Sequence, residues 1–321
     1  MGWRYLLRRV AQLVPAVAMV LVVTFTLIHL VPGDPVGAFA GEDAGVEARE
    51  ALRRQFGLDQ PLWRQFATYV TNVLHGDLGN SIVYARPVST LVAERLPATL
   101  LLATTSLVLS VLGGVFLGKV AARRPSGPLD ISVTGAALVG HAIPGFFLAQ
   151  VAILLLGLRW GIFPVLGMTD GRIRYTGIKQ VLDVGHHLIL PALVLAASEI
   201  TLVARLTRTG LIEQMGQDYV RTAAAKGVPE RAVLSRHGFP NAALPLITVI
   251  GNRVGFLLSG AVIIETVFSW PGMGLLLVNS VETGDRPLTL GLVLLVAVGV
   301  LVANLLTDLV YARVDPRIRY R

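Results

Sequence analysis

Cysteine is absent from the 321-residue chain. That excludes disulfide frameworks, thiolate metal sites, iron–sulfur clusters and cysteine nucleophiles. Charge is scarce: Asp, Glu, Lys and Arg make up 15% of the residues, against about 25% in soluble globular chains. Too little charge remains to solvate the surface of a water-soluble protein of this size. Apolar residues fill 54% of the chain and the mean hydropathy is +0.66, which also excludes a disordered chain. Tandem repeats and low-complexity tracts are lacking. What is left is the composition of a polytopic membrane protein.

A helix that crosses a bilayer needs about 20 mostly apolar residues. Six segments qualify: Val10–Val31, Ala98–Val120, Ile131–Leu156, Leu188–Leu206, Ala242–Val267 and Leu288–Tyr311. With the N-terminus in the cytoplasm, 16 of the 28 basic residues fall in the shorter inner segments. This asymmetry orients membrane proteins and places both termini in the cytoplasm. It also accounts for the net charge of +8 without a nucleic-acid partner. Ala38-Phe39-Ala40 imitates a signal-peptide cleavage site, but signal cores run about 7–15 residues. The first apolar run is longer and is separated from Ala38 by Pro32, Gly33 and Pro35, so it reads as an uncleaved helix. Trp3 and Tyr5, with Arg4, Arg8 and Arg9, read as interface anchors.

The chain divides into an N-terminal interfacial segment and first span (1–31), an external cap (32–97) and a five-helix core (98–321) with an inner loop at 207–241. Amphipathic stretches at Glu47–Phe56 and Pro61–Leu74 predict helices in the cap.

Gly113 to Lys119 reads G-x-x-x-x-G-K, but a nucleotide-binding loop needs Ser or Thr next, and Val120 follows. The glycines instead suit close helix packing. Ser106 and Ser110 have no intramembrane base at matched depth, and no second transmembrane Asp pairs with Asp308, so an intramembrane protease is excluded. Asn304 and Asp308, one turn apart, are weak pathway candidates. His186 and His187, without a third ligand, are poor metal candidates and read as interfacial histidines. Trp270-Pro271-Gly272 reads as an external turn.

Glu199 and Arg253 each lie 11 residues inside their spans, roughly 16 Å deep, near the middle of a core about 30 Å thick. A charge there costs at least about 2.5–3.5 kcal/mol, so neither faces lipid. Two readings stay open. The two, with Asn252, line a route and receive a peptide's ammonium and carboxylate groups, or they form a structural ion pair.

The most informative segment is the inner loop, TRTGLIEQMGQDYVRTAAAKGVPERAVLSRHGFPN. Asp218 is placed to cap a helix over Tyr219–Lys226, and Gly227 to end it. Pro229 suits the first turn of a second helix, with Glu230 near its positive end. Ala223, Ala224 and Ala225 permit close approach by another protein, and Arg231 and Arg236 offer charged contacts. Taken alone, this fits a docking element and a linker on the lipid surface equally.

Gly227, followed 13 residues later by Pro240, resembles the EAA loop of binding-protein-dependent ABC-transporter permeases. QDYVRTAAAKG at 217–227 is similar to the dipeptide/oligopeptide/nickel branch. Further similar pieces follow in order: PGDPVGAFAG (32–41), FGLDQPLWRQF (56–66), HGDLGNSI (75–82), RPVSTLVAERLPATL (86–100), ETVFSWPGMG (265–274) and DPRIRY (315–320). Each piece is weak alone; the ordered set is specific and spans nearly the whole chain. Arg221 stands where the general pattern has Glu, as in the peptide branch. Pro240 follows the wider pattern instead of that branch.

The resemblance implies an all-α, six-span permease of the type I importer fold, in the inner membrane. It implies a peptide substrate or, alternatively, nickel or another small solute. It further implies a second homologous permease as heterodimer partner, two ATP-binding subunits that carry ATP and magnesium, and an external binding protein. No cofactor and no catalysis would belong to this chain. Its loop would be the coupling helix, with Arg221, Thr222, Ala223, Ala224, Ala225, Lys226, Gly227, Glu230, Arg231, Arg236 and Pro240 at the ATPase contact.

Overall fold

A computed structural model of the chain describes residues 3–30, 45, 47, 50–51, 54, 59–173 and 175–314. The similar pieces at 32–41 and 315–320, and most of the expected 47–56 helix, lie outside them. So do the side chains of the expected interface anchors at 3–9, of Asn252 and of Asp308.

Among the described residues the regular structure is helical, apart from one isolated bridge between Asn80 and Pro87. The helices are α1 (Trp3–Leu30), α2 (Leu62–Leu74), α3 (Val88–Ala122), α4 (Pro128–Ala142) and α5 (Gly145–Ala152), which runs on in wider turns over Ile153–Arg159. There follow α6 (Ile178–Met215), α7 (Asp218–Ala225), α8 (Glu230–Ala232) with wider turns over Val233–Gly238, α9 (Phe239–Val267), α10 (Met273–Glu282) and α11 (Arg286–Val314).

Val88–Ala122, Ile178–Met215 and Arg286–Thr307 are each long and apolar enough to cross a membrane. With 35 and 38 residues, α3 and α6 extend about 50–57 Å and project well beyond a core about 30 Å thick. The expected boundary at 97/98 therefore falls inside α3. The expected third span is not one helix. Pro144 has no N–H and holds Ile143 extended, at φ −82° and ψ 123°, which separates α4 from α5.

The most extensive packing is α3 on α6, and glycine makes it close. A Cβ at Gly118 would lie 2.5 Å from Thr207 Cβ and 2.6 Å from the Ala204 carbonyl. One at Gly114 would lie 2.5 Å from Val203 Cγ1. Gly114 and Gly118 thus serve close helix packing, whereas a Cβ at Gly113 would make only an ordinary contact with Ile200. α9 packs on both α6 and α11, α4 on α6, and α1 on α11. The main buried cluster joins Leu102 of α3, Leu190 and Val194 of α6, Ile264 of α9, and Phe268 and Trp270 just after it.

Candidate functional site

The loop after α6 is built from inward-facing residues. Val220 and Ala223 of α7, together with Val233 and Leu234, are buried. Leu234 packs with Leu211 of α6, Ala242 of α9 and Ala122 of α3. Removing these side chains from water or lipid headgroups fixes the segment to the ends of three long helices. Gly227 terminates α7 at φ +81°. Its N–H donates to Ala224 O at 3.0 Å, and the Val228 N–H to Ala223 O at 3.4 Å. This paired closure satisfies the last carbonyls of the helix, and glycine adopts the left-handed turn without Cβ strain.

The outward face carries Arg221, Thr222, Ala224, Ala225, Lys226, Gly227, Glu230, Arg231, Arg236 and Pro240, all exposed. Ala223 is the exception to the expected contact set. It faces inward, because the helical period turns it to the same side as Val220. Two smaller expectations also shift. Gln217, not Asp218, occupies the N-cap position of α7, and Asp218 opens the helix. Pro229 precedes α8 as its N-cap instead of entering its first turn. The wide turns of Val233–Gly238 end just before Pro240, which lies in the first turn of α9. Pro240 has no N–H to offer the Arg236 carbonyl, which favours that looser geometry. Asn241 Nδ2 donates to Tyr219 Oη at 2.9 Å, and that hydroxyl donates to Gln214 Oε1 at 2.7 Å, tying α9, α7 and α6 together.

The two deep charges do meet. Arg253 Nη1 lies 3.7 Å from Glu199 Oε1 across α6 and α9, and Glu199 is buried. Ser110, Leu107 and Leu202 surround them around a void of about 10 Å³, at the lower limit for a single water. Asn304 is exposed.

Three buried carboxylates escape a reading by span and motif. Glu265, near the end of α9, is fully buried. It accepts hydrogen bonds from Thr99 Oγ1 at 2.7 Å, Gly274 N at 2.6 Å and Leu275 N at 3.2 Å. Because Gly274 and Leu275 are the second and third residues of α10, Glu265 caps that helix from outside. Thr99 Oγ1 in turn accepts from Met273 N at 2.8 Å. Trp270 is also fully buried and its Nε1 donates to Ala98 O at 2.9 Å. The expected external turn is thus a tight corner, with Ser269 at φ +49°, whose Trp enters the core. Burying the indole outweighs exposure because its N–H finds a partner. The signal for this was Glu265, an acid in an otherwise apolar run that ends at a Gly-rich turn.

Asp285 is the second. It accepts from Ser81 Oγ, from Val83 N at 3.1 Å and from Leu288 N at 3.3 Å. It therefore N-caps α11 and fixes the turn at 81–86 to it. Asp130 is the third. Arg208 Nε and Nη2 bind its two carboxylate oxygens, and Ser126 N donates to it at 2.8 Å. The Arg208 guanidinium holds the Asp130 carboxyl down at about 2, against the opposing effect of burial. The pair bolts the start of α4 to the loop end of α6.

His187 Nδ1 lies 2.9 Å from Asp183 O and 3.2 Å from Asp183 Oδ1. His186 Nε2 lies 3.0 Å from Ile162 O. Among the described residues no group of three or more His, Cys, Asp or Glu is placed to hold a metal ion. A cavity of about 700 Å³ opens between α3, α9, α10 and α11. Its walls are apolar except for Thr99, Thr104, Glu265 and Thr307.

Comparison with known proteins agrees with this architecture. Residues 114–320 match the family described as binding-protein-dependent transport system inner membrane component. Residues 2–103 match the N-terminal region of such membrane components. The chain is 37% identical over 336 residues to the dipeptide transport system permease protein DppB of Escherichia coli K12, covering 99% of both. It is 39% identical over 318 residues to the glutathione transport system permease protein GsiC of the same strain, again covering 99% of both. Among solved structures, the inward-facing MetNI methionine ABC transporter superposes with a TM-score of 0.57. That match, at 15% identity, covers 70% of this chain and 96% of the other, and shows a shared fold. A helical chain with long apolar helices, a glycine-terminated loop helix and full-length similarity to transport permeases belongs to the binding-protein-dependent transport system inner membrane component family.

Proposed function

We propose that this chain is the permease subunit of an ATP-driven importer of di- or oligopeptides, and that it forms half of the translocation pathway beside a second, homologous permease. Six spans keep both termini in the cytoplasm. Two cytoplasmic ATPase subunits bring ATP and magnesium; this chain adds no cofactor and no catalysis. An extracytoplasmic binding protein delivers the peptide. The peptide reading rests on the two relatives, whose names give dipeptide and glutathione transport.

The observation that carries the coupling role is the two-sided loop. Its inner side is buried against α3, α6 and α9, while Arg221, Thr222, Ala224, Ala225, Lys226, Glu230 and Arg231 stand outward. A short helix fixed this firmly moves as one body with the long helices behind it. An ATPase that closes on the outer side therefore biases their arrangement, as coupling requires. Glu199, Asn252 and Arg253 belong to the pathway wall. In the closed arrangement the two charges neutralise each other, and when the helices part they face a peptide's ammonium and carboxylate.

The test is ATP hydrolysis by the reconstituted complex, with and without its binding protein loaded with short peptides, in the native chain and in Gly227→Val and Arg231→Glu variants. Stimulation by loaded binding protein that the loop variants abolish supports the reading. Stimulation only by nickel or another solute overturns the peptide assignment. A chain that purifies without any ATPase overturns the importer subunit itself.

A further inference from the structure

A second cavity, about 140 Å³ in volume, lies between α4 and α6 towards the loop end of the bundle. Val133 and Ala137 of α4 and Leu202 and Ala204 of α6 give it apolar walls, and Arg205 and Arg208 line it on the loop side. Its size compares with an apolar cavity of about 150 Å³ that accepts benzene, enough for a segment of hydrocarbon chain.

The two arginines are not equivalent. Arg208 is committed to Asp130 through two hydrogen bonds. Arg205 is exposed and makes no hydrogen bond or ion pair among the described residues. It sits at the last turn of the apolar run Leu188–Leu206, the depth of lipid headgroups. Thr201 and Leu202 line the same cavity one turn deeper. The local charge is one-sided. From Lys119 to Asp130 the chain has three bases and one acid, and that acid is already paired with Arg208. Arg123 and Arg124 are exposed in the connector that enters α4. Around the groove, Leu129, Ile131 and Val139 of α4 are each more than 60% exposed, a surface suited to hydrocarbon.

We propose that this groove holds an anionic phospholipid, with its phosphate on Arg205 and an acyl segment over Val133, Ala137 and Leu202. The ligand must be negative at the headgroup level and apolar one turn deeper. A phospholipid joins those two properties in one molecule, and basic pockets between membrane helices bind anionic headgroups in this way. The site shares only Leu202 with the void beside Glu199 and Arg253 and does not depend on which solute is carried.

The experiment uses the whole transporter complex, exchanged through mild detergent with added phosphatidylglycerol or phosphatidylcholine, and native mass spectrometry to count retained lipid. The native complex keeps phosphatidylglycerol. Arg205→Gln weakens its retention about fivefold, the loss expected for one interfacial base, and leaves phosphatidylcholine unchanged. Ala137→Leu, which fills the groove, lowers retention with every arginine still present. Equal phosphatidylglycerol retention by native and Arg205→Gln complexes of the same subunit composition overturns the proposal. A second readout uses the lack of cysteine in this chain: a photo-crosslinker on Val133→Cys, in the groove wall with Arg205 still present, labels a single position of the chain. Capture of phospholipid supports the site, and capture of a neighbouring subunit overturns it by making the groove a protein interface.

Discussion

Glu265 Oε2 accepts the N–H of Gly274 at 2.6 Å, and a Cβ at Gly274 would stand 2.8 Å from that same oxygen. The glycine is small because the carboxylate must approach its backbone. The carboxylate is buried because α10 needs its first N–H groups satisfied. Each residue explains the other.

Glu265→Gln is therefore expected to destabilise the protein by about 1–3 kcal/mol: with the amide oxygen on Gly274 and Leu275, its N–H₂ faces Thr99 Oγ1, whose hydroxyl loses its buried acceptor. Chemical denaturation in detergent measures the loss. Gly274→Ala should be at least as damaging, since Val262 Cα would also lie 2.5 Å from the new Cβ. An unchanged midpoint in both variants would refute the network's role.

Three neighbouring glycines should separate by geometry. A Cβ at Gly113 meets Ile200 at 3.5 Å, an ordinary contact, so Gly113→Ala should change stability by less than about 0.5 kcal/mol. Gly114→Ala and Gly118→Ala put the methyl group against α6 backbone carbonyls at 2.9 Å and 2.6 Å and force α3 away from α6. The yield of assembled complex reads the difference directly.

The Asp130–Arg208 pair predicts a pH dependence with a definite sign. The folded carboxyl sits at about 2, below the ordinary value of about 3.9. Its contribution is complete above about pH 4 and is lost as pH falls through about 2. The stability gap between native protein and Arg208→Gln should therefore be flat above about pH 5 and narrow on acidification. A gap that widens in acid would contradict the geometry.

Gly227→Val should uncouple more than it unfolds. No atom lies within 4 Å of a Cβ built there, so the cost is the positive φ of +81°, about 1–2 kcal/mol. Relief comes by unwinding the end of α7. The expected result is near-normal assembly with loss of binding-protein-stimulated ATP hydrolysis. Normal stimulation would remove the turn from the coupling path.

For the deep ion pair, Glu199→Gln and Arg253→Gln each leave the other charge without this opposite partner, whereas the double variant removes both. If the pair is only structural, the double variant should recover subunit levels and peptide uptake together. If both charges also meet the peptide, levels recover and uptake does not. Immunoblotting and uptake of a labelled dipeptide distinguish the two.

Much of the architecture is legible in the sequence. Low charge and long apolar runs specify a membrane protein, because hydrocarbon admits only such segments. Gly227 marks the end of α7, because a helix that must stop in a left-handed turn selects glycine. The matched depth of Glu199 and Arg253 follows from counting along helices of fixed rise. These features are local, or need only the thickness of a bilayer.

What the sequence left open depended on contacts between distant segments. That Ala223 faces inward while its neighbours Ala224 and Ala225 stand outward depends on which side of α7 meets α6. The break at Pro144 is written locally, but an unbroken apolar run hides it. Glu265 with Thr99, Asp285 with Ser81 and Asp130 with Arg208 are separated by 166, 204 and 78 residues. No spacing rule reaches so far. Composition, the long apolar runs, the glycine end of α7 and the depth of the two charges came from the sequence alone, since each is set within a helix or by the bilayer. Which carboxylates are buried, and which helix ends they hold, was decided by the tertiary structure, because a buried charge is stable only where folding brings its donors to it.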